Sequence, residues 1–286
     1  MSTPINHHYV SRCHSDRFLN HDLGKIFLYD KKKNKFFDRK STKRVFSENY
    51  SNSRVVDGKI DHIGLELELK LLAEDDFPEI IEVVKSICKN PTEPHGEKLE
   101  VLVRLAMYGV IGEMRHPAHK KRTDDLLISA LSGIYSSSEE YQIDLQKFLK
   151  KIAPIKYSNA VSYIQIAAQM VKRMGDELDF SILLLESGEV FLLPDTTCFH
   201  VRENFNLDVS FDIREVSTVG IPLTDKIFVL IQSKRIPGTS SRFSVVTEKN
   251  TQFVKSVNKM IFDFAETMVA TSDYIQLEKI VAECKN

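Results

Sequence analysis

The stretch Phe180-Ser181-Ile182-Leu183-Leu184-Leu185-Glu186-Ser187-Gly188-Glu189-Val190-Phe191-Leu192-Leu193 decides the fold. Two near-continuous apolar runs flank a polar turn that carries a glycine, a pattern that predicts a hairpin buried on both faces. A covered sheet needs helices to cover it, and the preceding part of the chain supplies them. From about Asp61 to Arg173 the apolar residues recur at helical spacing. Ile63, Leu65, Leu67, Leu69, Leu71 and Leu72 sit among Glu66, Glu68 and Lys70, and Ile80, Ile81, Val83, Val84 and Ile87 continue the pattern until Asn90-Pro91 breaks it. Further helices are predicted over 97–115, 124–135, 139–151 and 158–174, with loops at Ser136-Ser137-Ser138 and Pro154.

After the predicted hairpin, Ile227-Phe228-Val229-Leu230-Ile231 reads as another buried strand. Residues 253–269 read as a helix with Val254, Val257, Ile261, Phe264 and Met268 on one side, followed by a short helix over 273–284. The first sixty residues are extended and basic. There, Lys25–Asp30 and Lys31–Phe37 form two short strands around a polar turn, with Asn34 suited to a left-handed position. The lysines of this hairpin could touch phosphate, or guard an edge strand against aggregation. The expectation is an α+β protein, a single large domain over 1–286. Its blocks are an extended segment and hairpin (1–60), a helical block (61–175), and strands with C-terminal helices (176–286). The helical middle block packs beside a mixed or antiparallel sheet formed by the N-terminal hairpin and the strands after residue 179.

With 42% hydrophobic and 28% charged side chains over 286 residues, the chain can bury a large core. Its 39 basic and 40 acidic residues nearly cancel, so any nucleic-acid or membrane site must be a local patch. Cys13, Cys88, Cys198 and Cys284 stand far apart with no C-x-x-C pair, which argues against structural zinc or disulfides and for reduced thiols in a cytoplasmic protein. No signal-peptide pattern and no apolar run of ~18 residues is present, so no membrane partner is expected. A phosphate-binding glycine loop and a nucleophile elbow are both missing, which disfavours P-loop hydrolysis and dinucleotide redox chemistry.

Chemistry could reside in three places. The run Asn6-His7-His8-Tyr9-Val10-Ser11-Arg12-Cys13-His14-Ser15-Asp16-Arg17-Phe18 offers imidazoles that titrate near neutrality and can bind metals. In Arg115-His116-Pro117, a guanidinium at a helix end could clamp phosphate, or pair with Asp124 or Asp125. In Pro194-Asp195-Thr196, a carboxylate follows a buried strand, where a rigid sheet presents side chains at its rim or a turn caps itself. Asn258 could orient a ligand or cap a backbone group. His116, His119 and Lys120-Lys121-Arg122 make a basic cluster that could face nucleic acid. Pro194-Asp195 with Gln232-Ser233-Lys234 also has the residue types of a restriction-type nuclease, two oxygen ligands for magnesium and a lysine for the attacking water.

These blocks occur in an order that resembles the bacterial domain-of-unknown-function family four-two-three-eight. His8-Tyr9-Val10 through Arg17-Phe18 is similar to its opening His-Tyr-Val-Pro-x-x-Tyr-Leu-x-x-Phe, with departures at Ser11, His14 and Ser15. Phe27-Leu28-Tyr29-Asp30-Lys31 resembles its valine-tyrosine-aspartate-lysine strand, and Glu48-Asn49-Tyr50 before the Glu66 and Glu68 helix resembles its aromatic-then-glutamate segment. Arg115-His116-Pro117 is similar to its Arg-Thr-Pro turn, Pro194-Asp195-Thr196-Thr197 to Ser-Asp-Asn-Pro, and Pro222-Leu223-Thr224 to Pro-Leu-Ser. Val257-Asn258 matches an asparagine in the last long helix. The similarity covers nearly the whole chain.

A histidine, a carboxylate, an arginine and an asparagine brought together suit phosphodiester hydrolysis. The expectation is therefore a phosphodiesterase or nuclease acting as a defence or toxin effector. His8, Asp195 and Arg115 are its catalytic residues, His7, Arg17 and Asn258 its substrate-binding residues, and magnesium or manganese a candidate cofactor. Its partners would be nucleic acid or another protein of a defence system. The alternative is a non-enzymatic module that binds a protein through the helical block.

Overall fold

The computed structural model describes residues 6–90, 98–135, 139–159, 162–175, 178–186, 188–204, 214–233, 243–248 and 251–285. The N-terminal block holds β1 (Asn6–His8), a helical turn α1 (Arg12–Ser15), β2 (Ile26–Asp30), β3 (Lys35–Arg39), β4 (Ser47–Asn49), β5 (Arg54–Val56) and β6 (Lys59–Asp61). The helical block holds α2 (Gly64–Leu69), α3 (Phe77–Lys89), α4 (Leu99–Val110), α5 (Gly112–Arg115), α6 (Pro117–Tyr135), α7 (Glu139–Ile152) and α8 (Tyr163–Met174). Then come β7 (Leu178–Leu185), β8 (Leu193–Pro194), β9 (Phe199–Asn204), β10 (Arg214–Pro222), β11 (Ile227–Ser233) and β12 (Phe243–Glu248). Helix α9 (Thr251–Phe264), β13 (Met268–Thr271) and α10 (Tyr274–Lys285) complete the order.

The fold is α+β, with its main strands divided between two sheets. One has five strands in the order β12-β7-β11-β10-β9, antiparallel except where β12 runs parallel to β7. The other has four antiparallel strands in the order β3-β2-β13-β8, so the N-terminal hairpin pairs with late strands. Asn34 takes the left-handed conformation in that hairpin, at φ 51.

Alternation along the strands sets the layers. Val229 and Ile231 of β11 face a core shared with α2, α3, α4 and α8, while Phe228 faces a second core that holds α9, α10 and one face of the smaller sheet. On α3, Phe77, Ile80, Ile81, Val84 and Ile87 recur at helical spacing and are all buried, each worth about 1.5–3 kcal/mol of burial. A third core joins the opposite face of the smaller sheet, through Ile26, Leu28 and Ala270, to Tyr9, Val10, Phe18, Val45 and Phe46. The N-terminal segment is thereby pinned between sheet and helices.

Several expectations are corrected. The run 180–193 is not a hairpin: β7 pairs with β11 and β12, and the chain then crosses to the smaller sheet. Other groups meet the backbone of the crossing segment. The amide of Phe191 donates to Asp225 O (2.8 Å), and Asn258 accepts from the amide of Leu192 (3.0 Å) and donates to Val190 O (2.8 Å). The helix over 253–269 ends at Phe264, and Met268 begins a strand. The helix over 97–115 breaks at Ile111 into α4 and α5, and the next begins at Pro117, where a proline loses no helical hydrogen bond.

Candidate functional site

The N-terminal histidines meet the helical block at Arg115. Strand β1 pairs with β4, opposing His7 to Glu48 and His8 to Ser47. Alternation turns His7 inward, fully buried, and leaves His8 partly exposed. The ring of His8 is held by Nε2 on Lys43 O (3.1 Å). A carbonyl only accepts, so Nε2 carries the proton and Nδ1 keeps its lone pair. Burial pushes the imidazole below its ordinary pKa against the opposing pull of Glu66 and Glu74, so the ring is neutral at pH 7.

Behind the ring lies Arg115, 1% exposed. Its Nη2 donates to His8 O (2.9 Å) and to Glu74 Oε1 (2.8 Å), while Nε and Nη1 find no hydrogen-bond partner among the described residues. Burial opposes this charge, and Glu74 with Tyr108 and Glu66 overcomes it, holding the guanidinium above its ordinary pKa. Glu74 closes a π-helical turn, Lys70–Glu74, in which Asp75 N reaches back to Lys70 O (3.2 Å). Such bulges recur at functional sites.

Deeper still, a polar chain runs inward. The amide of Asn52 donates to His7 Nδ1 (2.8 Å), its side-chain Nδ2 donates to Glu66, and its Oδ1 accepts from Lys120 Nζ. Lys120 also donates to Ser51 O (2.8 Å) and lies over the rings of Tyr157 and Tyr163. Burial, then the nearby charge of Arg115, brings its pKa down to about 7. The lysine borders a cleft of about 470 Å³ walled by Met114, Leu127, Tyr163 and Asn159. Asn159 donates to Ser51 O and Ser53 O, and its own Oδ1 is buried without a partner among the described residues.

Asp195 adjoins this region but is sealed, with no exposed surface. Its carboxylate accepts from the amides of Glu266 (2.9 Å), Thr267 (2.8 Å) and Met268 (2.8 Å) and from the Thr267 hydroxyl (2.5 Å), and it lies 3.2 Å from His116 Nε2. Burial pushes its pKa up, and His116, Thr267 and Met268 pull it below the ordinary value. His116 is fixed in turn, its Nδ1 accepting from the amide of Ala118 (3.1 Å) and its ring 5.0 Å from that of Tyr9, edge to face. The turn after Asp195 holds Thr197 at φ 73, a strained conformation for a β-branched residue. Gly112 permits the approach of α5, since a Cβ there would strike Thr196 O and Thr197.

His7, His8, Arg115 and, through Tyr9 and His116, Asp195 thus come together. Arg115 and Asp195 are enclosed, contrary to the phosphate clamp and rim carboxylate expected, because the helix junction and the α9–β13 loop fold over them. Arg17 is exposed in a 3-10 turn, Asp16–Phe18, away from this center, and Asn258 braces the crossing segment in another core. Of the nuclease-like pattern, Pro194 and Gln232 belong to different sheets, and Lys234 lies outside the described residues. Arg115 pairs with Glu74, whereas Asp124 bonds Ser158. In the basic cluster, His119 and Arg122 reach Glu113 and Lys120 turns inward. No group of three or more His, Cys, Asp or Glu among the described residues could hold a metal ion.

Sequence reasoning missed Glu74, Asn52 and the inward role of Lys120. A helix begun at Pro117 places Lys120 one turn after His116 on the same buried face, which is the signal that could have found it.

These features define an α+β protein with a buried polar center behind one partly exposed imidazole. The chain belongs to the family described as protein of unknown function (DUF4238), which matches residues 6–274. No curated protein and no solved structure matches it. Among the described residues, no helix is long and apolar enough to cross a membrane.

Proposed function

We propose that the protein is a phosphodiesterase of the nuclease class with His8 as its general base. The observation that carries this reading is the state of that ring: Nε2 fixed on Lys43 O, which leaves the lone pair on Nδ1, in a side chain that is partly exposed and neutral at pH 7. Nδ1 takes a proton from water as its oxygen bonds to phosphorus. The ester P–O bond breaks, and the proton passes to the leaving oxygen. Arg115 and Glu74 position the backbone of His8, and the buried guanidinium adds positive potential where the phosphorane gathers negative charge. Asp195 and His116 hold the junction that carries Arg115.

The test is cleavage of labeled DNA and RNA with magnesium, manganese or chelator, by the wild type and His8→Ala. Cleavage lost in the variant at unchanged melting temperature supports the reading, and equal rates refute it. A second reading, a module that docks another protein, is favored by Leu126, Ile134 and Ile143 on α6 and α7, exposed to 72%, 66% and 56%. The readings part at His8, which a docking module tolerates losing.

A further inference from the structure

Residues 30–44 carry eight lysines and arginines against Asp30 and Asp38, on a chain whose formal charge is -1. The fold gathers part of this surplus into one groove of about 390 Å³ at the open edge of the four-stranded sheet. Alternation along edge strand β3 puts Lys35, Phe37 and Arg39 on the groove side, while Phe36 packs on Tyr29 across the sheet. Lys33 adds a cation from the hairpin turn, and Arg44 adds another from the facing 3-10 turn Thr42–Arg44. Among the described residues Asp30 is the single acid on the groove, and it pairs with Lys33 (3.3 Å), whereas Lys35, Arg39 and Arg44 form no ion pair with a described residue. The Arg39 guanidinium lies 4.8 Å from the center of the Phe37 ring.

We propose that this groove binds a single strand of nucleic acid, with phosphates on Lys33, Lys35, Arg39 and Arg44 and a base against Phe37. Cations beside a partly exposed aromatic ring, three of the four here without an ion pair to a described residue, are what strand binding uses, because the charges follow the backbone and every unpaired base offers a π face. A duplex hides those faces, and an acidic peptide lacks them. Insertion into a membrane uses projecting apolar side chains, and none of the exposed large apolar residues described lines the groove. Arg44 of the groove follows Lys43, whose carbonyl receives His8 Nε2. That the bound strand is also the substrate rests on the phosphodiesterase reading, whereas binding itself does not.

The test is fluorescence anisotropy of a labeled oligothymidylate of ~20 nucleotides titrated with the full chain over a range of salt. Four phosphate contacts predict a slope of log K against log salt of about -2.8. Lys35→Ala with Arg39→Ala brings the slope to about -1.4 and weakens binding about tenfold at unchanged melting temperature. Lys147→Ala with Lys150→Ala on α7, the same change of charge elsewhere, leaves binding as it was. His8→Ala keeps wild-type binding and loses cleavage. Binding with no cleavage by the wild type would remove the hydrolase reading and leave the groove standing. Undiminished binding by the Lys35/Arg39 variant would overturn the proposal, as would equal or tighter binding of polyglutamate or phosphatidylserine vesicles.

Discussion

Asp195→Asn separates a structural carboxylate from a catalytic one. In the native protein Oδ2 accepts from the Thr267 and Met268 amides and the Thr267 hydroxyl, Oδ1 accepts from the Glu266 amide, and His116 approaches within 3.2 Å. In the variant one oxygen becomes an NH₂ group. Placed with its oxygen toward Thr267 and Met268, the amide faces the Glu266 N–H donor to donor, and the remaining bonds lose their charge assistance. A buried unpaired donor costs about 1–3 kcal/mol, and loss of charge assistance adds a comparable amount, so the total is about 3–5 kcal/mol. For a chain of this size that lowers the melting temperature by roughly 10 °C. Thermal and urea unfolding of wild type, Asp195→Asn and Asp195→Ala, followed beside the cleavage rate, measure it. A variant that melts like the wild type but loses all cleavage would refute the reasoning and restore Asp195 to the chemistry.

His14 is a core histidine, held by Pro222 O (2.6 Å) and the Tyr108 hydroxyl (3.3 Å), with a pKa lowered by burial to about 4. Below pH 6.5 the unfolded chain takes up a proton that the folded chain refuses, so stability falls by about 3 kcal/mol between pH 6.5 and 4. His14→Gln loses that part of the acid dependence in urea titrations at several pH values, and an unchanged dependence would contradict the assignment. Lys120, with its pKa near 7, acts in the same direction at higher pH. The unfolded chain keeps its proton above pH 7 while the folded one releases it, so stability rises by about 1 kcal/mol from pH 7 to 8, and Lys120→Met flattens the rise. Asn258→Ala strands Leu192 N and Val190 O and costs about 2–4 kcal/mol, with cleavage intact in whatever remains folded; loss of cleavage at full stability would make it a ligand residue.

Elements defined by neighbors in sequence were legible: β2 and β3 around Asn34, β11 as a continuous apolar strand, and the helical block by its spacing. Elements defined by distant partners were not. Strand β13 is only Met268–Thr271, and it is a strand because β2 and β8 flank it. The run 190–193 has the composition of a hairpin arm, but Asn258 and Asp225 claim its backbone. At the site, the order of motifs brought His8, Arg115 and Asp195 into one region, yet burial is not written in a motif. The amides that saturate Asp195 come from residues more than seventy positions away. Lys120 reads as part of a basic cluster that could face nucleic acid, but the helix start at Pro117 turns it inward.

The most direct test of His8 as the base is chemical rescue. Wild type, His8→Ala, and His8→Ala with added imidazole are compared for cleavage of a labeled oligonucleotide, with melting temperatures measured in parallel. The account predicts an active wild type, an inactive and fully folded variant, and activity that returns in proportion to the free base of imidazole. A variant that cleaves as fast as the wild type, or an inactive one that imidazole does not restore, would contradict it.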